Sequence, residues 1–342
     1  LNETGEHDKA LPYLKKAIDS DVENAYRYIG DYYLADGMYE EALEHYDTYL
    51  ERVDPTDTMF VVYTRRAERA KHELKFYKRV EKVVFVDSVI VEKGQFLTAY
   101  VLGNECGDIE ATQNILGGNV AEGSMAYRTE MRDKIYYSNT NATGSMKLYM
   151  CYKMFDGWSQ PAVLNGLPEG DCNYPFLLAD GVTIYFANNN PNGLGGYDIY
   201  VTRYNSDTDR FFTAENIGMP FNSPANDYLY VFDEMAHIGW FATDRFQHLD
   251  TIVVYEFVPN KEKILIKTDD VVYRRLAAQM KVYRKAKLTV KDGETEVLEV
   301  GEKGSEFNFF VNDGIVYSHM AQFKSEEAKA LYVKSQEADK RL

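Results

Sequence analysis

The chain has 342 residues, 45% of them hydrophobic and 27% charged, with a formal net charge of −16. That is enough apolar material for a sizeable core and enough length for two domains. A surface this acidic repels phosphate backbones, which argues against a nucleic-acid partner, and no run of about 18 apolar residues is present to cross a membrane.

The first part is helical. Asp8-Lys9-Ala10-Leu11-Pro12-Tyr13 and Glu40-Glu41-Ala42-Leu43-Glu44-His45-Tyr46 resemble each other, and Ala10 and Ala42 stand 32 residues apart. Tyr26, Ile29, Gly30 and Tyr33 share one helical face; Ala42, Tyr46 and Tyr49 share the facing one. Small residues at Gly30 and Ala42 allow close approach while the aromatics fill the remaining space. Gly37 marks the turn between these helices, and Asp54-Pro55 ends the second. A third helix is predicted over about Thr58 to Phe76, with Val62, Ala67, Ala70 and Leu74 buried. Tyr26, Gly30, Tyr33, Ala42, Tyr46 and Pro55 resemble the packing positions of the TPR family, whose repeat is about 34 residues. That resemblance implies stacked α-hairpins over residues 1–78. The half repeat at the start leads us to expect further sequence upstream.

From Val83 onward, aromatic and β-branched runs alternate with Asn, Asp and Gly. Asp180-Gly181 is a hairpin signal, followed by the strand Thr183-Ile184-Tyr185-Phe186 and, after Gly195-Gly196, by Asp198-Ile199-Tyr200. Weaker copies occur at Arg132–Asn139 with Lys147–Met150, and at His237–Arg245 with Asp250–Tyr255. The anchors Tyr137, Phe186 and Phe241 are 49 and 55 residues apart, which suits one four-stranded unit each. Asp180, Gly181, Tyr185, Phe186, Gly196, Asp198 and Tyr200 resemble the PD40 (WD40-like) repeat of β-propellers. This implies an α+β multidomain chain: helical hairpins, then a propeller over residues 79–325. About five blades are expected, with Val83–Leu102 supplying the first and Phe309–Ser318 the last or the closing strand. A helical insertion is predicted near residues 269–287, capped by Asp269 or Asp270, with Val272, Leu276, Gln279 and Met280 on its spaced face. A polar C-terminal helix is predicted over residues 326–342.

The residues point to no catalytic centre, cofactor or metal. A Gly-x-Ser-x-Gly elbow and a sialidase Asp-box are missing. The carboxylates Asp87, Asp133, Asp180, Asp198 and Asp233 lie in the repeats; turn and blade geometry account for Asp180 and Asp198, and a structural role for the five is favoured over the paired acids of a glycosidase. The six histidines lack metal-ligand spacing. Asn205-x-Asp207-x-Asp209 lacks the Gly and Glu of a calcium loop and reads as a polar hairpin tip. Asn189–Gly196 reads as a long inter-strand turn rather than a phosphate loop. Cys106, Cys151 and Cys172 read as buried free thiols, a Cys151–Cys172 disulfide being the alternative.

TPR hairpins followed by a PD40 propeller resemble the front part of the PorE-type lipoproteins of the type IX secretion machinery of Bacteroidota. The resemblance implies a non-catalytic scaffold or accessory subunit in the cell envelope, periplasmic or at the outer membrane. Its partners would be other envelope proteins in protein export, and its anchor a lipidated N-terminus outside this chain. Asp-Ser/Thr-apolar triplets at Thr58, Ser88 and Thr251 are candidate O-glycosylation sites in that setting. Two alternatives stand beside it: a cell-surface propeller binding carbohydrate or peptide, with Trp158 or Trp240 stacking on the ligand, and a propeller glycosidase.

Overall fold

A computed structural model describes residues 7–118, 120–281, 286–291, 294–299, 309–310, 316–317, 323 and 325–339. Four helices open the chain: α1 (His7–Asp19), α2 (Glu23–Ala35), α3 (Tyr39–Leu50) and α4 (Thr58–Tyr77). Burial on α3 falls on Tyr39, Ala42, Tyr46 and Tyr49, the spacing of one helical face. A Cβ on Gly30 would stand 2.5 Å from the Tyr46 ring, so glycine lets that ring lie on the α2 backbone. The Tyr46 and Tyr63 hydroxyls both donate to Asp31, each at 2.8 Å, so the buried rings keep satisfied polar tips. Gly37 makes the α2–α3 turn at φ +75°, a conformation that costs glycine little. Asp57 caps α4 by accepting the Met59 N–H at 2.8 Å.

Two helical details differ from expectation. Helix α3 stops at Leu50, where the Val53 N–H bonds the Tyr49 carbonyl, before Pro55 is reached. Val62 is 39% exposed; the buried stripe of α4 is Tyr63, Ala67, Ala70, Glu73 and Tyr77. Tyr63 takes the inward place because its ring meets Tyr46 and Tyr49 and its hydroxyl reaches Asp31.

The strands follow in chain order as β1 (Val84–Glu92), β2 (Asp108–Ala111), β3 (Met125–Arg128), β4 (Lys134–Thr140), β5 (Met146–Met154), β6 (Gly157–Trp158), β7 (Ala162–Val163), β8 (Cys172–Leu177), β9 (Thr183–Asn188), β10 (Asp198–Asn205), β11 (Arg210–Phe211), β12 (Glu215–Asn216), β13 (Asp227–Asp233), β14 (Ile238–Thr243) and β15 (Thr251–Val258), with the short α5 (Thr112–Leu116) after β2. They form three antiparallel sheets. The first runs β2-β3-β4-β5-β6, with β7 also on β5; the second β11-β10-β9-β8, with β12 also on β10; the third β1-β15-β14-β13. The chain is therefore α+β, helices first and antiparallel sheets after.

One hairpin turn recurs. In the first sheet the Thr129 N–H bonds the Lys134 carbonyl and the Arg132 N–H bonds Thr129; in the second, Leu178, Thr183 and Gly181 repeat the pattern. Arg132, Gly181 and His237, the last in the third sheet, hold φ of +54°, +71° and +54°. Aromatic pairs bridge the sheets: Tyr127 meets Phe176 at 5.0 Å, and Tyr185 stacks on Tyr230 at 4.8 Å.

Where about five sheet units were expected, the described residues hold three of four or more strands. Val83–Leu102 opens no sheet of its own. Strand β1 is the outer strand of the third sheet, paired from Val84↔Val258 to Glu92↔Thr251, with Phe85 buried beside Tyr255. A 3-10 turn (Lys93–Ala99) follows it. Helix α6 (Val271–Ala278) is shorter than the expected insertion: Asp270 caps it at Tyr273 N–H, Val272 is exposed, and Met280 is buried beyond its end. Ala286 and Lys287 belong instead to β16 (Ala286–Lys291), paired with β17 (Glu294–Glu299). The late segment keeps only the pair β18 (Phe309–Phe310) and β19 (Val316–Tyr317); residues 311–315 and 318 lie outside the described residues. Helix α7 spans Glu326–Asp339, and residues 340–342 lie outside them. The three cysteines are buried and free. Cys151 and Cys172 sit in different core clusters, which excludes the alternative disulfide.

The helices are fastened to the sheets. Tyr39, Tyr77, Val80, Leu194, Met219 and Ala278 form one buried cluster. Around it, Arg69 donates to the Leu194 carbonyl, and Arg275 pairs with Asp36 at 2.8 Å.

Candidate functional site

The junction between the second and third sheets is built by the glycine-rich loop before β10. Asp198 is fully buried, and its Oδ2 accepts the Leu194 and Gly195 N–H groups at 2.5 and 3.4 Å. A Cβ on Gly195 would stand 1.9 Å from the Ala225 carbonyl, and one on Gly196 2.1 Å from Asn226 Oδ1. The loop thus lies directly on residues 223–226. The Tyr197 N–H donates to Asn226 Oδ1 at 3.0 Å, and the Asp227 N–H returns to the Tyr197 carbonyl at 2.7 Å. Burial first, and then the charge of Asp227, push the Asp198 carboxyl up to about 8. Its Oδ1 has no hydrogen-bond partner among the described residues.

Beneath the loop, Asp227 is buried and pairs with Arg245 at 2.7 Å. Ser223 donates to Asp227 through its N–H and hydroxyl, while Arg245 also donates to the Pro220 and Phe221 carbonyls. Asn222 imitates a strand residue: its Oδ1 accepts the Ile199 N–H and its Nδ2 donates to the Ile199 carbonyl.

Above these supports lies a tyrosine cluster at the starts of β8 and β13. Tyr174 meets Tyr228 at 5.3 Å and Tyr197 at 6.1 Å, edge to face, and Phe96 closes in behind Tyr174 at 6.1 Å. Tyr174 holds φ +55°, uncommon for a bulky residue. Asn173 stabilises this bend: its Oδ1 accepts the N–H groups of Tyr174 and Met125 and the Ser138 hydroxyl, and its Nδ2 donates to the Gly123 carbonyl. The Tyr228 hydroxyl donates to Asp244 at 2.8 Å, and Lys93 lies 5.2 Å from the Tyr228 ring and 3.2 Å from Asp244.

Two reciprocal amide–carboxylate pairs flank the rings. The Asn226 N–H and Nδ2 donate to Asp244; the Asp171 N–H donates to Asn189, whose Nδ2 returns to Asp171. The two pairs are the same device with Asn and Asp exchanged. Burial alone would raise the Asp244 carboxyl, but hydrogen bonds from Asn226, Tyr228 and Lys93 hold it below its usual range. Burial, then the neighbouring Asp171, push the Tyr197 hydroxyl up to about 12.

The expected motif residues divide between support and core. Asp180 accepts the Val182 and Thr183 N–H groups in the Gly181 turn. Tyr185 stacks on Tyr230, and Phe186 stacks on Tyr200 within the second sheet. Asp133 and Asp233 likewise accept bonds inside their own turns, from the Thr129 hydroxyl and from Met235 and Ala236 N–H. Thr58 is exposed, while Ser88 and Thr251 are half-buried. Trp240, expected as a ligand-stacking candidate, is instead 5% exposed, inside the core, so it cannot stack on a ligand; Trp158 is half-buried on the edge of the first sheet. Tyr174, Tyr197, Tyr228, Lys93 and Asp244 are not among the site residues expected from the sequence.

Among the described residues no group of three or more His, Cys, Asp or Glu side chains is placed to hold a metal, and no helix is long and apolar enough to cross a membrane. Comparison with known proteins returns no matching family model, no matching curated protein and no matching solved structure.

Proposed function

We propose that this chain is a non-catalytic scaffold of a cell-envelope protein complex serving protein export. In this reading the three sheets are blades of a PD40-type propeller and the opening helices are a TPR-type docking shoulder. The observation that carries it is the fastening of the two regions. The Arg69 guanidinium reaches the Leu194 carbonyl, the Tyr77 hydroxyl donates to Val271, and Arg275 and Gln279 of the α6 segment both hold Asp36. A joint of that kind presents two surfaces in a fixed relation, as a scaffold requires. The pairing of β1 with β15 supports the propeller reading, since it joins the earliest strand to the third sheet, far along the chain. The envelope setting rests on the resemblance in domain order.

The test is cross-linking followed by affinity purification of the tagged protein from its native cells. Stoichiometric recovery with outer-membrane or periplasmic proteins is expected. Recovery only with cytosolic proteins sinks the envelope reading. Glycoside turnover abolished by one Asp→Asn change sinks the non-catalytic one.

A further inference from the structure

The tyrosine cluster is more than core filling. Its three rings come from different segments and meet where the second and third sheets join. Tyr174 and Tyr197 are only half-buried, and Lys93 and Gly196 beside them are exposed. Tyr174 holds a strained φ of +55°, its N–H bonded to the buried Asn173, which three further bonds fix in place; strain of this type persists where the surroundings enforce it, and it clusters at ligand clamps. The flanking pairs Asp171/Asn189 and Asn226/Asp244 fix carboxylate acceptors and amide donors side by side.

We propose that this cluster binds a neutral carbohydrate. A pyranose ring presents an apolar C–H face, which suits the half-buried Tyr174 and Tyr197 rings, with Tyr228 buried as their support, and a rim of hydroxyls that both donate and accept, which suits paired amides and carboxylates. Other ligand classes fit less well. Asp171, Asp244 and the net charge of −16 repel anions. A cation finds the Tyr228 ring already faced by Lys93. A peptide's apolar anchor needs an apolar pocket, and here the half-buried rings are bordered by the polar pairs Asp171/Asn189 and Asn226/Asp244. The proposal stands apart from the scaffold reading, because a scaffold without sugar affinity would keep its protein partners.

Saturation-transfer NMR on the full chain, with cellohexaose, chitohexaose and maltohexaose as probes, tests it. At least one should take up saturation at its ring C–H protons, with Kd on the order of 0.1 mM. Tyr197→Ala should weaken that binding at least tenfold and Tyr197→Phe less than threefold. The exposed Lys93→Ala change, which spares the core, should weaken it about fivefold and keeps the test open if Tyr197→Ala fails to fold. No transfer to any of the three probes overturns the proposal. So does binding untouched by Lys93→Ala and Tyr197→Ala, or binding of peptides alone.

Discussion

The two junctions between neighbouring sheets solve one problem with different chemistry. Between the first and second sheets a neutral side chain, Asn173, bonds the Met125 N–H, the Ser138 hydroxyl and the Gly123 carbonyl. Between the second and third, the work falls to the Asp227–Arg245 ion pair, with Asn222, Ser223 and the nearby Asp198. Both satisfy backbone groups that face each other across a gap no strand pairing fills. Only the second stores charge in the interior, so only the second should respond steeply to charge removal and to pH.

The largest break should come from Arg245→Met. It leaves the Asp227 carboxylate buried without its cation, a loss of about 3–5 kcal/mol in urea unfolding. The double change Arg245→Met with Asp227→Leu should recover much of that loss. A double variant no more stable than the single would contradict an electrostatic cause. Asn173→Ala should cost less, about 2 kcal/mol, since it strands neutral donors rather than a charge; a loss as large as that of Arg245→Met would erase the distinction between the junctions. In the helices, Gly30→Ala should cost about 1–3 kcal/mol by pushing Tyr46 off its seat, read as a lower midpoint of thermal unfolding.

The pH response sharpens the same contrast. Asp198 titrates near 8 in the folded chain against an ordinary 3.8. The fold favours its neutral form, so its contribution is full below pH 3.8 and is lost as pH rises through about 8. Asp180 and Asp244, held below their ordinary range, act oppositely and lose their contribution only as pH falls below about 4. Asp198→Asn should therefore gain stability relative to wild type between pH 5 and pH 9, measured as urea midpoints. A parallel shift at every pH would place the perturbation elsewhere. Smallest of all, Val62→Ala should stay within about 0.5 kcal/mol, because that side chain faces solvent.

Local chemistry made much of the fold legible. The spacing of Ala42, Tyr46 and Tyr49 shows a helix face directly, and Asp180-Gly181 specifies a turn whatever surrounds it. Asp198 was visible as a motif residue, but its task, holding the loop that presents Tyr197, depends on residues 223–226, which approach from another sheet. The tyrosine cluster was hidden for the same reason. Nothing local to Tyr174, Tyr197 or Tyr228 distinguishes them from the other 25 tyrosines of the chain.

Period and turn chemistry alone therefore determined that helices precede antiparallel hairpins, and where the repeated turns fall, because each rests on contacts a few residues apart. Tertiary structure decided that β1 joins the third sheet rather than starting one, that Trp240 is buried, and that three tyrosines meet beside Lys93. Those outcomes depend on which apolar edge remains to be covered once the sheets have packed, and that is a property of the whole chain.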